Sequence, residues 1–528
     1  MTRRRRVVVI GGGVAGLATA ALLSADGHDV DLVEQNPDFG GRAGSWECDG
    51  FRFDTGPSWW LMPAVFDHFF ELLGTSTAQQ IDLRRLDPGY RVFFEGTDTA
   101  VDISGDLARN RALFEAIEPG AGAAFDAYLA SARATYDMAV ERFLYTNFDT
   151  FSAFVAPTVL KNTKSLAILL GRSLDSFVAK RFTDQRLRQI LGYPAVFLGS
   201  SPDRAPAMYH LMSLLDLDEG VRYPAGGFTE LTQALTRLAT THGARLHSSA
   251  QVTEILTSRN GRLRPVRRHE VTGVGVREGG MGGGSRIIAA DTVIAAADLH
   301  HVETRLLPRR LQTYPQRWWD ARTCGPGAVL VYLGVAGPLP ELEHHSLFFT
   351  ADWQRNFDAI FEKPTAIPDP ASLYVCRPSA SDDSVAPDGH ENLFVLIPVP
   401  ADPGLGRGGI DRAGDRVIEQ TADRAIELIA TWAHIPDLAD RVVVRRTVGP
   451  ADFEAELNSW SGGALGPAHT LRQSAFMRAN NRSRKVDGLY YAGGATRPGI
   501  GLPMCLISAE LIAKRLRGDH SPGPSATA

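Results

Sequence analysis

The stretch from Val7 to Gly16, VVVIGGGVAG, decides the fold. Its first four residues are all apolar, which is the pattern of a strand buried on both faces of a parallel sheet. The next six residues read G-x-G-x-x-G, and small residues from Leu17 to Leu23 then predict a helix that Gly27 ends. This order of strand, glycine turn and helix predicts the start of a nucleotide-binding βαβ unit.

Each glycine of the turn has a separate physical role. Gly11 makes the tight turn, Gly13 lets a pyrophosphate approach the backbone, and Gly16 lets the helix pack closely on the strand. The phosphates would lie at the helix N-terminus, where free N–H groups and the helix dipole favour anions. The candidate cofactor-binding residues of this turn are Gly11, Gly13, Val14, Ala15 and Gly16.

Glu34 completes the dinucleotide fingerprint. Val30 to Val33 reads as a second strand, and Glu34 ends it about 20 residues after the glycines, as the fingerprint requires. Its carboxylate can bind a ribose 2′-hydroxyl. The same charge would repel a 2′-phosphate, so NADP is disfavoured as the cofactor.

Composition and charge narrow the class of protein. The chain has 528 residues, enough for two or three domains, and 44% of them are apolar. The net charge of −5 gives no basic field, so nucleic acid is not an expected partner. The four cysteines lie far apart, which favours a reducing cytoplasm over a disulfide framework or a zinc site. No window reaches the roughly 18 apolar residues of a membrane-spanning helix, so we expect the chain not to cross a membrane.

A second glycine-rich turn lies near the C-terminus. Leu489 to Ala492 reads as a strand, Gly493 to Met504 as a glycine-rich loop, and Cys505 to Leu516 as a helix. The pattern of the first turn is thereby repeated, with a backbone that is free to approach a ligand at both ends of the loop.

Further motifs carry a family resemblance. Gly40 to Arg42 reads GGR shortly after the acidic residue, and Asp54 to Trp59 reads DTGPSW. With Ser201 to Tyr209 and Tyr223 to Phe228, these stretches resemble the carotenoid (phytoene) desaturase family of the flavin amine-oxidase-like superfamily. The resemblance implies that the glycine fingerprint binds FAD rather than NAD.

Three candidate cofactor contacts lie between the two turns. Gly41 permits another close approach of backbone to ligand, and Arg42 can face the phosphates or the ribose. Gln251 to Leu256 reads as a strand, and the resemblance implies that it passes the adenosine. The backbone of Val252 is therefore expected to contact the cofactor.

The resemblance also assigns roles within the second turn. Gly493 and Gly494 would approach the pyrophosphate. The backbone at Leu502, Pro503 and Met504, with the helix N-terminus that follows, would face the flavin ring, and its dipole would stabilise the reduced-flavin anion.

The predicted fold class is α/β. The resemblance implies a Rossmann-like composite FAD-binding domain of the glutathione-reductase and amine-oxidase type, with an inserted α+β substrate domain. The FAD-binding domain would be assembled from residues 1–90, 219–305 and 446–518. The other predicted parts are a helical, membrane-facing part of the substrate domain at 91–218, a second part of that domain at 306–445, and a disordered tail at 519–528.

One aromatic stretch suggests contact with lipid. Aromatic residues from Phe143 to Phe154, followed by Lys161 and Lys164, suit an interfacial segment that dips into a membrane surface. The alternative is that these side chains fill the core of a helical domain. We expect a cytoplasmic protein that is peripherally associated with the membrane through a hydrophobic entrance.

The resemblance implies a function. An FAD-dependent desaturase would take phytoene, a lipophilic carotenoid, toward lycopene, with a hydride passing to flavin N5 and a proton leaving the neighbouring carbon. Quinone or oxygen would be the terminal acceptor. Two alternatives stay open: a related FAD-dependent carotenoid isomerase, oxidase or end-group desaturase, and a non-enzymatic prenyl-binding escort protein of the same fold. No catalytic acid or base can be named from the sequence.

The chain contains two pairs of histidines that could be considered as metal ligands. His300-His301 and His344-His345 are adjacent in sequence, so neither pair is expected to share a face of a helix or a strand. The sequence therefore predicts no metal site.

Overall fold

The computed structural model describes residues 4–149, 163–259, 269–279 and 283–527. Its strands are β1 Arg6–Ile10, β2 Asp29–Val33, β3 Ser45–Cys48, β4 Phe51–Asp54, β5 Leu83–Arg85, β6 Tyr90–Phe94, β7 Val101–Ile103, β8 Arg222–Pro224, β9 Arg245–His247, β10 Ala250–Arg259, β11 His269–Glu278, β12 Ser285–Ala289, β13 Thr292–Ala295, β14 Gly327–Ala336, β15 His345–Phe349, β16 Leu373–Cys376, β17 His390–Val399, β18 Val442–Val448, β19 Val486–Asp487 and β20 Leu489–Tyr491. Its α-helices are α1 Val14–Ala25, α2 Pro63–Glu71, α3 Thr77–Gln80, α4 Leu107–Ile117, α5 Ala121–Ala139, α6 Thr163–Gly171, α7 Leu174–Val178, α8 Gln185–Gly192, α9 Pro194–Phe197, α10 Met212–Leu217, α11 Thr229–Thr241, α12 Leu299–Arg305, α13 Gln316–Trp319, α14 Trp353–Phe361, α15 Arg416–Trp432, α16 Pro450–Leu457 and α17 Leu502–Arg517.

A parallel five-stranded sheet forms the centre of the nucleotide-binding part. Its order is β20-β13-β1-β2-β9, so strands from widely separated parts of the sequence lie side by side. Val7 and Val9 point into one hydrophobic core with α1, α11 and α17, while Val8 and Ile10 point into another with β10 and β11. Both faces are thus covered, as the all-apolar first strand predicts. The predicted composite α/β fold is confirmed.

A seven-stranded sheet forms the floor of the other half of the molecule. Its order is β18-β14-β17-β16-β15-β6-β7. One face packs on α15, whose buried residues repeat with helical spacing. The other face carries aromatic side chains toward the helices between residues 107 and 217. The boundary predicted at residue 445 falls inside β18, because that strand continues as an edge of the sheet to Val448.

The C-terminal tail lies against α17. Lys514, only 1% exposed, donates hydrogen bonds from Nζ to the carbonyls of Ser521 at 2.9 Å and Gly523 at 2.6 Å. The backbone N–H of Ser525 donates to Glu510 Oε1 at 2.7 Å. The tail was expected to be disordered, but through residue 527 it supplies partners that these buried charged groups require.

Candidate functional site

One large cavity lies between the two glycine turns and the seven-stranded sheet. Its volume is about 1690 Å³, and it is lined from every major part of the fold. The candidate cofactor residues that line it are Gly11, Gly13, Val14, Ala15, Glu34, Gly41, Arg42, Val252, Gly493, Gly494, Leu502, Pro503 and Met504. The structure therefore brings together residues that lie more than 480 positions apart in sequence.

Gly16 is the candidate that does not line the cavity. A Cβ atom on Gly16 would lie 1.9 Å from the carbonyl oxygen of Gly11, so this glycine packs the helix on the turn. Gly13 differs, because a Cβ there would meet only Gly40 O, at 3.7 Å. Gly13 is also the N-cap of α1 and has no side-chain cap, which leaves the first N–H groups of that helix for a ligand.

Glu34 is buried at the end of β2, with 6% of its surface exposed. Its Oε2 accepts a hydrogen bond from Gly12 N at 2.6 Å, and its Oε1 accepts one from Asn36 N at 2.8 Å. A carboxylate offers about four acceptor positions, so Glu34 can still accept from a ribose hydroxyl. The backbone bonds hold it where the fingerprint requires it.

Arg42 links the N-terminal part of the site to the loop from Ser459 to Ala464. Its Nε donates to Ala464 O at 2.8 Å, and its Nη2 donates to Ser459 Oγ at 2.9 Å. Part of the guanidinium is thus used to hold the neighbouring loop, while its other N–H groups have no protein partner among the described residues and can bind a ligand. Gly41 beside it has φ +58°, and Val252 faces the cavity from β10.

The second glycine turn lies directly against the first. The N–H of Gly493 donates to Ser508 Oγ at 3.0 Å, and a Cβ on this glycine would lie 3.5 Å from Ala15 Cβ. The following helix starts at Leu502, three residues before the predicted start at Cys505. Pro503 explains the difference, because proline suits the first turn of a helix, where no N–H partner is needed.

Arg478 supports the second glycine turn, and the sequence did not reveal this role. Its guanidinium is buried, and Nη2 donates to Gly494 O at 2.5 Å while Nε donates to Thr496 O at 3.1 Å. Burial lowers the pKa of Arg478 to about 10. These bonds fix the carbonyls of the second turn. No local motif surrounds this arginine, so only the tertiary structure identifies it.

His469 lies in the cavity wall beside the same turn. Its Nδ1 is 2.8 Å from the hydroxyl of Tyr209, and the N–H of Ile500 donates to its Nε2 at 3.4 Å. Burial, with the nearby charge of Arg478, lowers the pKa of His469 far below its usual value. The imidazole is therefore neutral at physiological pH.

The part of the cavity over the sheet is largely apolar and aromatic. Its aromatic lining consists of Trp59, Tyr193, Phe197, Tyr332, Phe349, Trp353, Phe357, Tyr374 and Phe394. Two polar side chains, Asn356 of α14 and Ser372 just before β16, also line this part of the cavity. There Ser372 N donates to Asn356 Oδ1 at 2.7 Å, and Ser372 Oγ lies 2.9 Å from Thr350 Oγ1.

Two buried carboxyl groups near the cavity have structural partners. Asp54 accepts from the N–H of Phe228 at the start of α11, and burial raises its pKa to about 7. Asp216 accepts from the hydroxyls of Tyr90 and Tyr193, and burial raises its pKa to about 6. Neither carboxyl lines the cavity, so neither is placed to touch a ligand there.

The cavity reaches the surface at an apolar patch. Leu170 and Phe476 both line the cavity and are about two-fifths exposed. Ile168, Leu471 and Met477 are exposed beside them in sequence. The aromatic stretch predicted to touch lipid contributes through Phe143 and Phe148, while its part from 150 to 162 lies outside the described residues. In the described segments, no helix is both long and apolar enough to span a membrane.

The adjacent residues His344 and His345 lie at the start of β15. His345 begins β15, whereas His344 precedes the strand and is not bound by its alternation. Their ring centroids lie 4.5 Å apart. The two rings therefore lie close together, although strand alternation does not place them on one face.

Comparison with known proteins gives a consistent result. Residues 14–517 match the family described as flavin containing amine oxidoreductase. The chain is 41% identical to a carotenoid 3,4-desaturase of Haloarcula japonica, over 97% of this chain and 98% of that protein. It is 36% identical to a zeta-carotene-forming phytoene desaturase of Myxococcus xanthus, over 98% and 94% of the two chains.

The solved structures resemble the fold at much lower sequence identity. An oxidoreductase from Methanosarcina mazei superposes with a TM-score of 0.63 at 17% identity, covering 96% of this chain and 100% of the other. At this identity the match concerns the fold alone.

Proposed function

The chain belongs to the family of flavin-containing amine oxidoreductases, and from this premise we propose its substrate and the residues that serve it. It is an FAD-dependent carotenoid desaturase. We propose that it removes two hydrogens at the 3,4-bond of an acyclic carotenoid whose end group carries a hydroxyl. The observation that carries this proposal is one cavity that combines the glycine turns, apolar walls and the polar side chains of Asn356 and Ser372 between α14 and β16.

The residues at the two turns fit FAD. The cradle beside Gly13 and Gly494 is open, because a Cβ on either would meet nothing closer than 3.7 Å. Helix α1 begins there without a side-chain cap, so its free N–H groups suit a pyrophosphate. Glu34 would hold the ribose, and Val252 would pass the adenosine.

The flavin end would lie beside Leu502, Pro503 and Met504. When bound, FAD supplies the two-electron oxidation of the substrate. The chain itself positions the polyene and excludes water. Its aromatic walls also favour positive charge that is delocalised along a conjugated chain, since ring faces attract cations.

The polar side chains of Asn356 and Ser372 would select the end of the substrate. Ser372 lines the cavity, and its Oγ can exchange a hydrogen bond with a hydroxyl; Thr350 Oγ1, which does not line the cavity, is its partner at 2.9 Å. Asn356 fixes the position of Ser372 by accepting a hydrogen bond from the backbone N–H of Ser372. A hydrocarbon end group would instead bury these groups without a new partner.

The test supplies FAD-loaded protein with either phytoene or an acyclic 1-hydroxycarotenoid in liposomes, under air and with added quinone. We expect a product two hydrogens lighter from the hydroxylated substrate. The variant Ser372→Ala should raise the KM for that substrate by about tenfold, and leave the KM for its non-hydroxylated counterpart unchanged.

Phytoene is the second candidate, and the Myxococcus relative favours it. Conversion of phytoene in steps of two hydrogens, with no product from the hydroxylated carotenoid, would replace the first proposal by the second. No product from either substrate, with FAD demonstrably bound, would contradict both.

We also propose that the apolar patch rests on a membrane surface. A carotenoid is confined to lipid, so it must enter where the cavity opens. The exposed Arg172 and Arg472 lie next to the apolar residues in sequence and would face anionic headgroups. A peripheral association of this kind needs no spanning helix.

A further inference from the structure

A buried cluster of nitrogen and sulfur donors lies beside the wall of the cavity. His344, His345 and Cys376 are at most 3% exposed, and their potential ligand atoms all lie within 4.8 Å of one another. The backbone holds this arrangement, because His345 and Cys376 are opposite each other in the antiparallel pair β15–β16.

The two imidazoles are oriented but incompletely bonded. His344 Nδ1 lies 2.6 Å from Ser381 Oγ, and His345 Nδ1 lies 2.8 Å from the hydroxyl of Tyr374. Both Nε2 atoms are buried and have no hydrogen-bond partner within the described ranges. Buried polar atoms are nearly always bonded, so two such atoms at one place indicate a missing ligand.

We propose that His344, His345 and Cys376 bind one zinc ion. Two imidazoles and one thiolate are a donor set that zinc prefers, and zinc-binding histidines usually bond their second ring nitrogen to a neighbouring group. In a tetrahedral site such ligand atoms would lie about 3.5 Å apart, so small side-chain rotations would close the cluster on the ion. Binding removes the thiol proton of Cys376, which passes to solvent.

The surroundings suit a divalent cation. The carboxylate of Asp54 acts electrostatically on Cys376, and the carboxylate of Asp382 acts on His344. Together with the thiolate, these negative charges offset the charge of the ion. Arg377 opposes this effect at His344, but it is paired with Glu391 at 2.9 Å. A void of about 10 Å³ adjoins Cys376, Asp54 and Ser58, which is room for one water beside the thiol.

The site would act by positioning the cavity wall. The ring of Trp59 stacks on His345 with centroids 4.5 Å apart, and Tyr374 donates to Ser58 Oγ at 2.8 Å. Trp59 and Tyr374 both line the cavity. Zinc would thus hold Trp59 and Tyr374 in place against the polyene, and the ion itself would not touch the polyene.

Metal analysis of FAD-saturated wild-type protein tests this directly. After growth with added zinc and desalting, we expect about one zinc per chain by mass spectrometry. Cys376→Ser and His345→Asn should lose the zinc while still binding FAD. The matched changes Cys48→Ser and His390→Asn, at a cysteine and a histidine outside the cluster, should keep it.

Cobalt exchange gives a second readout that does not depend on activity. Cobalt-loaded wild type should show a thiolate-to-metal absorption band in the difference spectrum, and this band should be absent from Cys376→Ser. Wild type that binds FAD but retains no zinc or cobalt would overturn the proposal, as would zinc retained by Cys376→Ser. The measurement uses no carotenoid, so its outcome is separate from that of the substrate assay.

Discussion

At the scale of single residues, His210 makes stability depend on pH. Its Nε2 lies 3.0 Å from Ser131 Oγ and its Nδ1 2.9 Å from Ala207 O, and burial lowers its pKa from 6.5 to about 4. The folded protein keeps it neutral, while the unfolded chain takes up a proton below pH 6.5. The free energy of unfolding therefore falls as pH drops from 6.5 to 4, by roughly 3 kcal/mol in total, and does not change above 6.5.

Urea unfolding of His210→Gln at pH 7.5 and pH 5 measures this contribution. The amide of glutamine keeps the polar partners but does not titrate, so the variant should lose less stability on acidification than wild type. His242→Gln, at a half-exposed helix end, is the matched control and should follow wild type. Equal losses in all three proteins would show that His210 is not held neutral.

At the scale of elements, two glycines of the first turn have different roles: Gly16 is needed for packing, and Gly13 for binding the cofactor. A Cβ on Gly16 would strike backbone, so Gly16→Ala should destabilise the protein by about 2–3 kcal/mol or prevent folding. Gly13 has an extended backbone with φ −71°, and its Cβ position is open, so Gly13→Ala should fold with near-normal stability. It should nevertheless weaken FAD binding by at least about tenfold, because the methyl group would occupy the cradle.

Thermal unfolding and FAD titration by flavin fluorescence distinguish the two effects. Gly27→Ala is unsuitable as a control, since Gly27 has φ +81°. Gly171→Ala is better, because a Cβ there meets nothing within 4 Å. Normal FAD affinity in Gly13→Ala would contradict the placement of the pyrophosphate at this turn.

Local patterns explain which elements the sequence could predict. The strands predicted at Val30–Val33 and Gln251–Leu256 are β2 and the first part of β10, so residue patterns typical of strands located both within a few residues of their ends. Both glycine turns were predicted because a short local motif, a strand followed by glycines and a helix, is enough to identify them. Arg478 was missed, since its role depends on carbonyls more than 15 residues away. The His344–Cys376 cluster was missed because it requires the pairing of β15 and β16.

At the scale of the whole molecule, the apolar patch at the cavity opening should decide where the protein resides. Phe476 and Met477 are 41% and 45% exposed, and burial of such side chains in lipid is worth roughly 1.5–3 kcal/mol each. Wild type should therefore float with liposomes, and more strongly with anionic lipid, because arginines flank the patch. The double variant Phe476→Ser/Met477→Ser should lower the affinity for liposomes at least about tenfold.

The control must remove equal apolar exposure elsewhere. Ile287 and Val443 are 69% and 54% exposed on β12 and β18 and do not line the cavity, so Ile287→Ser/Val443→Ser should float like wild type. Because Phe476 also lines the cavity, activity on carotenoid in detergent measures any effect of the change on the cavity itself; relative to that activity, activity on carotenoid in liposomes should fall only in the first variant. If both double variants float equally, the membrane does not bind at the opening of the cavity, and the carotenoid must reach the flavin by another route.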